Sequence, residues 1–143
     1  MRILIQRTTK AAVTINSEVH GDIEKGLVLL LGIEHEDTRE DANYLIQKVM
    51  SLRIFNDDEG KMNLSIKEIN AEFLVISQFT LHASTKKGNR PSYIKAARPE
   101  VAIPLYEYFI GQLRQSSQAK VATGVFGAEM SVSLVNDGPV TIW

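Results

Sequence analysis

The chain has no cysteine, which excludes a disulfide framework, a thiolate nucleophile and a zinc site built from thiolates. It has no apolar run near the ~20 residues that a membrane-spanning helix needs. Its N-terminal segment lacks the apolar core and cleavage site of a signal peptide. The three histidines, His20, His35 and His82, are not at metal-ligand spacing with one another. We therefore expect a cytoplasmic protein that uses no metal and no cofactor.

The composition is that of an ordinary folded domain. Of the 143 residues, 44% are hydrophobic and 23% are charged, which is typical of a globular protein with a substantial core. The sequence shows no internal repeats, low-complexity tracts or Gly/Ser linkers. We therefore predict a single domain over residues 1–143.

Charge is distributed unevenly along a chain whose net charge is only −1. Residues 73–99 contain no Asp or Glu, although five basic residues fall there: Lys86, Lys87, Arg90, Lys95 and Arg98. A basic segment in a nearly neutral protein fits contact with a few phosphates, and it fits a solvated loop equally well. Charge alone leaves both interpretations open, with Lys86, Lys87 and Arg90 as the candidate phosphate contacts.

Hydrophobic periodicity predicts more strands than helices. One amphipathic helix is expected from an N-cap at Asp37 to about Leu52, and a second around 105–113, where Pro104 predicts a kink or a start near Ile103. The apolar run 27–33 is typical of a strand buried on both faces. Further strands are predicted at 2–8, 11–16, 53–56, 72–81, 130–134 and 140–142. This pattern indicates a sheet-rich α/β domain with its two main helices on one side.

Conventional catalytic groups are poorly represented. Ser77 and His82 could form part of a serine-histidine-acid triad, but residues five apart on a strand face opposite sides, so we favour a surface histidine. The segment Asn56–Gly60 is better explained as a turn than as a calcium loop, because an apolar residue occupies the first-ligand position. The glycine pair in Gly124–Gly127 is more typical of a bulge or turn than of a phosphate cradle.

Two short strings are more informative. Ser77-Gln78-Phe79-Thr80 follows the apolar run 73–76 and marks the place where a buried strand emerges. Backbone N–H groups freed at a strand end can stabilise an oxyanion, although an ordinary strand end is the alternative. Gly138-Pro139 lies among strand-forming residues, where proline removes a ladder donor and glycine adds backbone freedom. Both strings suggest that the backbone serves chemistry.

With these strings the chain resembles the D-aminoacyl-tRNA deacylases from end to end. The matching stretches are Leu52–Phe55, Gly60–Asn63, Ser77–Leu81, Lys87–Ser92, Gly124–Ala128 and Asn136–Thr141. The resemblance implies hydrolysis of the ester between tRNA and a D-amino acid, or glycine mischarged on alanine tRNA, with L-aminoacyl substrates rejected. It also implies an α/β/β-layered fold with mixed or antiparallel, barrel-like sheets.

The resemblance assigns roles to individual residues. Ser77, Gln78, Phe79 and Thr80 would form the catalytic site, with main-chain N–H groups polarising the ester carbonyl. Gly138-Pro139 matches a motif that is cis in the family and enters the site of the partner subunit in a homodimer. There its carbonyls would hold the substrate α-amino group and leave no room for an L side chain. The resemblance leaves open whether Thr80 or the terminal ribose 2′-hydroxyl drives hydrolysis.

The sequence departs from the family pattern at His82 and Ser84, outside both strings. The sequence also allows two functions other than deacylation. A non-catalytic RNA-binding module would use the basic segment but would leave the Gly-Pro step unexplained. A small-molecule ester or amide hydrolase would have no need for an acid-free basic segment beside its site.

Overall fold

The computed structural model describes all of residues 1–143. The elements in chain order are β1 (Arg2–Ile15), β2 (Glu18–Ile23), β3 (Gly26–Gly32), α1 (Arg39–Ser51), β4 (Arg53–Asn56), β5 (Met62–Ser65), α2 (Ile66–Ile69), β6 (Glu72–Ser77), the 3₁₀ helix η1 (Phe79–His82), α3 (Pro99–Ser116), β7 (Val121–Thr123) and β8 (Ser131–Ile142). No helix is both long enough and apolar enough to cross a membrane.

The main sheet is mixed and has the strand order β2-β1-β3-β6-β7, with β8 paired to β1. Strand β1 is antiparallel to β2, β3 and β8, whereas β6 is parallel to both β3 and β7. Strands β4 and β5 form a separate antiparallel pair. Strand β1 pairs with other strands along its whole length, and the sheet curls into a barrel-like form. The predicted fold class is confirmed.

The core lies on both faces of β3 and β6. Leu27, Leu29 and Leu31 pack on the face that carries α1 and α3, whereas Val28 packs on the opposite face beneath β1 and β2. This arrangement confirms the prediction that 27–33 is a strand buried on both sides. The helices contribute side chains only to the first of these two clusters, so they cover one face, as expected.

The strand predictions were wrong in their bounds at three places. Residues 2–8 and 11–16 are one strand, β1, because β8 pairs across the junction with two register shifts instead of a break. The strand predicted at 72–81 ends at Ser77. Its parallel neighbour β3 ends at Gly32, so beyond Leu31 no neighbouring strand remains to continue the ladder. The strands predicted at 130–134 and 140–142 are likewise joined within β8.

Both helix starts also differ from the predictions. Helix α1 begins after Thr38 instead of Asp37, and the Asp41 carboxylate accepts hydrogen bonds from the Thr38 N–H (2.8 Å) and hydroxyl (2.9 Å). These bonds hold the pKa of Asp41 below its usual value. Helix α3 begins at Pro99, a favourable first helical position. It continues through Pro104, which is exposed, so water can satisfy the carbonyl that loses its hydrogen bond.

Candidate functional site

The end of β6 leaves two backbone donors without helical partners. The Gln78 N–H makes the last sheet contact, to the Leu31 carbonyl at 2.8 Å, and the chain then turns into η1. Within this turn Leu81 N–H donates to the Gln78 carbonyl at 3.3 Å. The N–H groups of Phe79 and Thr80 therefore have no acceptor inside η1. They form the kind of donor pair that stabilises an oxyanion.

An apolar cavity of about 300 Å³ lies beside these donors. Ten of its thirteen lining residues are hydrophobic, so it suits a side chain better than a charged group. Ser77, Gln78 and Phe79 line it, whereas Thr80 does not. The other lining residues come from the end of β3 and the residue after it, from β6, from the start of α3 and the segment before it, from the loop before β8 and from β8 itself: Leu31, Ile33, Ile76, Ala97, Ala102, Phe126, Gly127, Ala128, Met130 and Val132.

The loop before β8 was not assigned to the site from sequence. The structure confirms that 124–127 forms no helix or strand and turns at Gly127, whose φ of +77° favours glycine. At Gly124 a Cβ would collide with the Met130 sulfur, so the Met130 side chain lies directly against the Gly124 backbone beside the cavity. In the sequence, the resemblance to the family at Gly124–Ala128 was the feature that could have indicated this wall of the cavity.

Tyr106, a residue of α3, packs against that wall through the Phe126 ring. Its hydroxyl donates to the Val75 carbonyl at 3.0 Å, and its ring lies 5.7 Å from that of Phe126, centroid to centroid. Burial raises the pKa of Tyr106 to about 12, although Arg114 opposes the shift. The hydroxyl therefore remains a neutral donor. Its contribution to stability is complete below the ordinary value of 10.0 and is lost as pH rises through about 12.

The Ser77–His82 triad, which the sequence disfavours, does not form. The His82 side chain is buried, not at the surface as expected, and its Nδ1 lies 2.8 Å from Glu34 Oε1. Thr80 Oγ1 accepts a hydrogen bond from the Gln78 side-chain amide, which cannot act as a general base. No cluster of three or more His, Cys, Asp or Glu residues could hold a metal ion.

The Gly138-Pro139 step lies in a large bulge of β8, in which four residues lie opposite one. Gln6 pairs with Thr141 and Thr8 with Asn136, so residues 137–140 all lie opposite Arg7 alone. The step is therefore pushed out of the ladder, which explains how proline is accommodated within the strand. Gly138 and Pro139 are exposed, and the peptide bond between them is cis.

Arg7 holds this bulge in place. Its side chain is 6% exposed, and its Nε lies 3.0 Å from the Asp137 carboxylate. Its Nη1 donates to the Ile54 carbonyl at 2.6 Å, which ties the bulge to β4. The Asn136 side-chain amide closes the bulge by donating to the carbonyls of Arg7 and Val140, both at 2.9 Å. Sequence analysis missed Arg7, although a charged residue in the middle of an apolar strand was the available sign.

The structure does not bring the two predicted parts of the site together within one chain. Gly138 and Pro139 are absent from the residues that line the cavity beside Ser77 and Phe79. Val132, near the start of the same strand, does line that cavity. Strand β8 thus runs from the cavity at one end to the Gly-Pro bulge at the other.

The basic segment follows η1 directly. Reciprocal hydrogen bonds between Ser84 and Ser92, at 2.8 and 2.9 Å, close a loop that we call the basic loop, residues 85–91. The predicted phosphate contacts, Lys86, Lys87 and Arg90, are all exposed there and form no ion pair. Just beyond the loop, the Tyr93 ring meets the exposed Phe79 ring edge-on at a centroid distance of 5.0 Å. The loop therefore starts and ends close to the candidate oxyanion donors.

The fold places the chain in a structural class that includes two solved structures. A solved structure titled as a probable eukaryotic D-amino acid tRNA deacylase has a TM-score of 0.83, with 98% of this chain and 96% of that chain covered. At 16% identity that likeness concerns the fold. Another solved structure, titled c-Myc DNA Unwinding Element Binding Protein, is 40% identical with a TM-score of 0.94, covering 99% of this chain and 96% of that one.

Sequence comparison identifies the family within this class. The family model described as D-Tyr-tRNA(Tyr) deacylase matches residues 4–143. A D-aminoacyl-tRNA deacylase of Flavobacterium psychrophilum is 58% identical over 99% of this chain and 95% of its own length. Relatives of the same name in Bacteroides thetaiotaomicron and Akkermansia muciniphila are 56% and 57% identical, over 99% and 100% of this chain and 95% of their own lengths. The chain belongs to the D-aminoacyl-tRNA deacylase family, and it is a hydrolase of D-aminoacyl-tRNA.

Proposed function

We propose that the chain clears both D-aminoacyl-tRNA and glycyl-tRNA, including glycine mischarged on alanine tRNA, and rejects L-aminoacyl-tRNA. The observation that carries this proposal is the donor pair at Phe79 and Thr80 beside an apolar cavity. Residues 1–143 act as one domain in this proposal, and the cytoplasm is the place of action because the substrate is a component of translation.

In the proposed mechanism, water attacks the ester carbonyl that links the amino acid to the terminal ribose. The negative charge that develops on the carbonyl oxygen is stabilised by the N–H groups of Phe79 and Thr80. As the intermediate collapses, the bond from the carbonyl carbon to the ribose oxygen breaks, and a proton from the added water passes through the neighbouring 2′-hydroxyl to that oxygen. Thr80 is disfavoured as nucleophile because the only hydrogen-bond partner of its Oγ1 is an amide.

Selectivity is proposed to come from the Gly138-Pro139 bulge of a partner subunit. The bulge is held in one position by the contacts of Arg7, Asp137 and Asn136. Its carbonyl groups can then accept hydrogen bonds from an α-amino group. A rigid wall at this place excludes an L side chain by steric conflict. A D side chain and the hydrogen of glycine both avoid that conflict, so glycyl-tRNA is also cleaved.

A homodimer is supported by the outer edge of β8. The strand has β1 as its only neighbour, and a long uncovered edge is a site for pairing with another chain. Val132, Val135 and Trp143 are 37%, 46% and 67% exposed along this strand and at its end. Because β8 runs from the cavity to the bulge, an antiparallel two-fold contact along β8 brings the bulge of each copy to the cavity of the other.

The dimer can be tested by subunit complementation. We expect Phe79→Pro to inactivate the donor site and Gly138→Ala to displace the bulge, so that each homodimer is impaired. Coexpression of the two variants should restore about a quarter of the wild-type D-Tyr-tRNA cleavage rate, because half of randomly paired dimers are mixed and each contains one complete site. Separate tags allow the mixed dimer to be purified and assayed directly.

Sedimentation of the wild-type chain provides the companion measurement, with an expected mass of about twice 16.0 kDa at micromolar concentration. The cross-subunit arrangement would be refuted by a fully active monomer. It would also be refuted by mixed dimers that are no more active than the average of the two homodimers.

The basic loop is proposed to provide affinity for tRNA and no catalytic group. Replacing both Lys86 and Lys87 by alanine should weaken tRNA binding and reduce the slope of log affinity against log salt by roughly one unit per lost phosphate contact. Single-turnover cleavage at saturating enzyme should be unchanged. The matched control replaces Lys10 and Lys67, two exposed lysines outside the loop, and should leave affinity unchanged.

The opposite pattern would contradict this role. If the Lys86/Lys87 variant bound tRNA normally and cleaved it slowly at saturation, the loop would belong to the catalytic machinery.

A further inference from the structure

His82 is a buried titratable residue for which the mechanism above has no use. It ends η1, three residues after Phe79, and its side chain has no exposed surface. Its Nδ1 lies 2.8 Å from Glu34 Oε1, yet neither ring nitrogen has an aligned hydrogen-bond partner. Burying an imidazole without aligned hydrogen bonds costs free energy. The buried position of His82 therefore calls for an explanation.

The backbone of Glu34, the residue whose carboxylate faces His82, is anchored by a hydrogen bond. The Glu34 N–H donates to Asp37 Oδ2 at 2.6 Å, and Asp37 Oδ1 accepts from the buried α-ammonium group of Met1. From β1, the Arg2 guanidinium donates to the Leu81 carbonyl at 2.8 Å and lies 3.9 Å from Glu34 Oε1. Arg2 therefore holds Leu81, and Glu34 faces His82, so that charged side chains contact the last two residues of η1.

The other side of the imidazole is fitted just as closely. A Cβ on Gly32 would lie 2.9 Å from His82 Nε2 and 3.0 Å from the Gln78 carbonyl oxygen. That carbonyl is the acceptor of the first hydrogen bond of η1. The absence of a side chain at Gly32 thus allows both ends of η1 to lie directly against β3. The contacts of Leu81 with Arg2 and of His82 with Glu34, in the second half of η1, therefore contribute to the orientation of the turn.

We propose that the Glu34–His82 pair is a positioning unit that fixes η1, and with it the direction of the Phe79 and Thr80 N–H groups. Neither side chain touches the substrate, so both act through the backbone. Since rigid preorganisation of the donors is what stabilises an oxyanion, loss of the pair slows the chemical step and leaves tRNA affinity unchanged. This inference rests on the proposed use of those donors in catalysis.

Two substitutions of His82 separate positioning from packing. His82→Phe retains the volume of the ring and loses Nδ1, whereas His82→Asn loses volume and retains a donor at the position of Nδ1. We expect His82→Phe to lower the single-turnover rate on D-Tyr-tRNA by about tenfold or more and His82→Asn to retain most of it. Thermal stability should follow the reverse order, because asparagine leaves a cavity.

Glu34→Gln provides a second approach that leaves the size of the side chain unchanged. Because glutamine loses the charge but retains one acceptor oxygen, it should reduce the rate by less than His82→Phe does. The double variant should be little slower than His82→Phe alone, because loss of Nδ1 already removes the contact. The dissociation constant for tRNA should be unchanged in all of them. His20→Phe and Glu36→Gln, at exposed positions, are the matched controls and should retain wild-type rates.

The outcomes distinguish failure of this inference from failure of the proposed function. A wild-type chain with no activity on D-Tyr-tRNA would refute the proposed function. An active wild type with Glu34→Gln at full rate, or with His82→Phe faster than His82→Asn, would overturn the positioning role alone. If His82→Phe does not fold, the question is decided by the rate of Glu34→Gln alone and by the rate of the double variant Glu34→Gln/His82→Asn, compared with that of His82→Asn.

Discussion

Replacing Phe79 by proline should lower the rate of D-Tyr-tRNA cleavage about a hundred- to a thousandfold. The substitution deletes one backbone N–H, and removal of a single oxyanion donor typically costs ~2.7–4 kcal/mol. Phe79 is the first residue of η1, a position at which proline is well tolerated, so the fold should survive. Single-turnover cleavage at saturating enzyme measures the effect. Phe79→Ala, which retains the N–H, is the control and should be much faster.

One further variant and one modified substrate show whether any side chain is an obligatory nucleophile. Thr80→Ala should retain most of the activity, because its hydroxyl is bonded to the Gln78 amide and no base lies beside it. A substrate that ends in 2′-deoxyadenosine should react far more slowly, because the neighbouring hydroxyl is missing. An inactive Thr80→Ala enzyme that binds tRNA and cleaves the deoxy substrate normally would instead make Thr80 the nucleophile.

Adding one methyl group at Gly138 should remove most of the chiral selectivity. A Cβ there would lie 2.8 Å from Val140 Cγ2 and 3.0 Å from Arg7 Nη2, and the φ of +120° disfavours any L side chain. The bulge must move, so its carbonyls lose their grip on the α-amino group. We expect cleavage of D-Tyr-tRNA and the ratio of D to L rates each to fall about tenfold or more.

The matched control for this prediction is Gly111→Ala. Gly111 lies within α3, where a Cβ would meet nothing within 4 Å, so the substitution should leave both rates unchanged. A Gly138→Ala enzyme with the wild-type ratio of D to L rates would show that selectivity originates elsewhere in the cavity.

Local pattern was enough to predict the parts of the fold that are buried on both faces. The run 27–33 has apolar side chains toward both clusters, so its identity as a central strand follows from composition alone. The first helix follows from its spacing of apolar residues. The two site strings were located because each breaks a local rule: one is polar after a buried strand, and the other places proline in a strand.

Contacts between distant residues could not be predicted in the same way. The bulge exists because Arg7 meets Asp137, 130 residues away in the chain. The burial of His82 depends on where β3 stops and on the absence of a side chain at Gly32. Asp37, expected to cap α1, is instead occupied by the Met1 ammonium and the Glu34 N–H. In each case a tertiary partner, invisible to local periodicity, decided the outcome.

The most direct test of this account is to incubate the wild-type chain with D-Tyr-tRNA, L-Tyr-tRNA and glycyl-tRNA in parallel and to follow ester cleavage. Backbone donors combined with steric exclusion at the Gly138-Pro139 bulge predict rapid cleavage of the D-tyrosyl and glycyl substrates, with L-Tyr-tRNA left intact. Comparable rates on D-Tyr-tRNA and L-Tyr-tRNA would contradict the account.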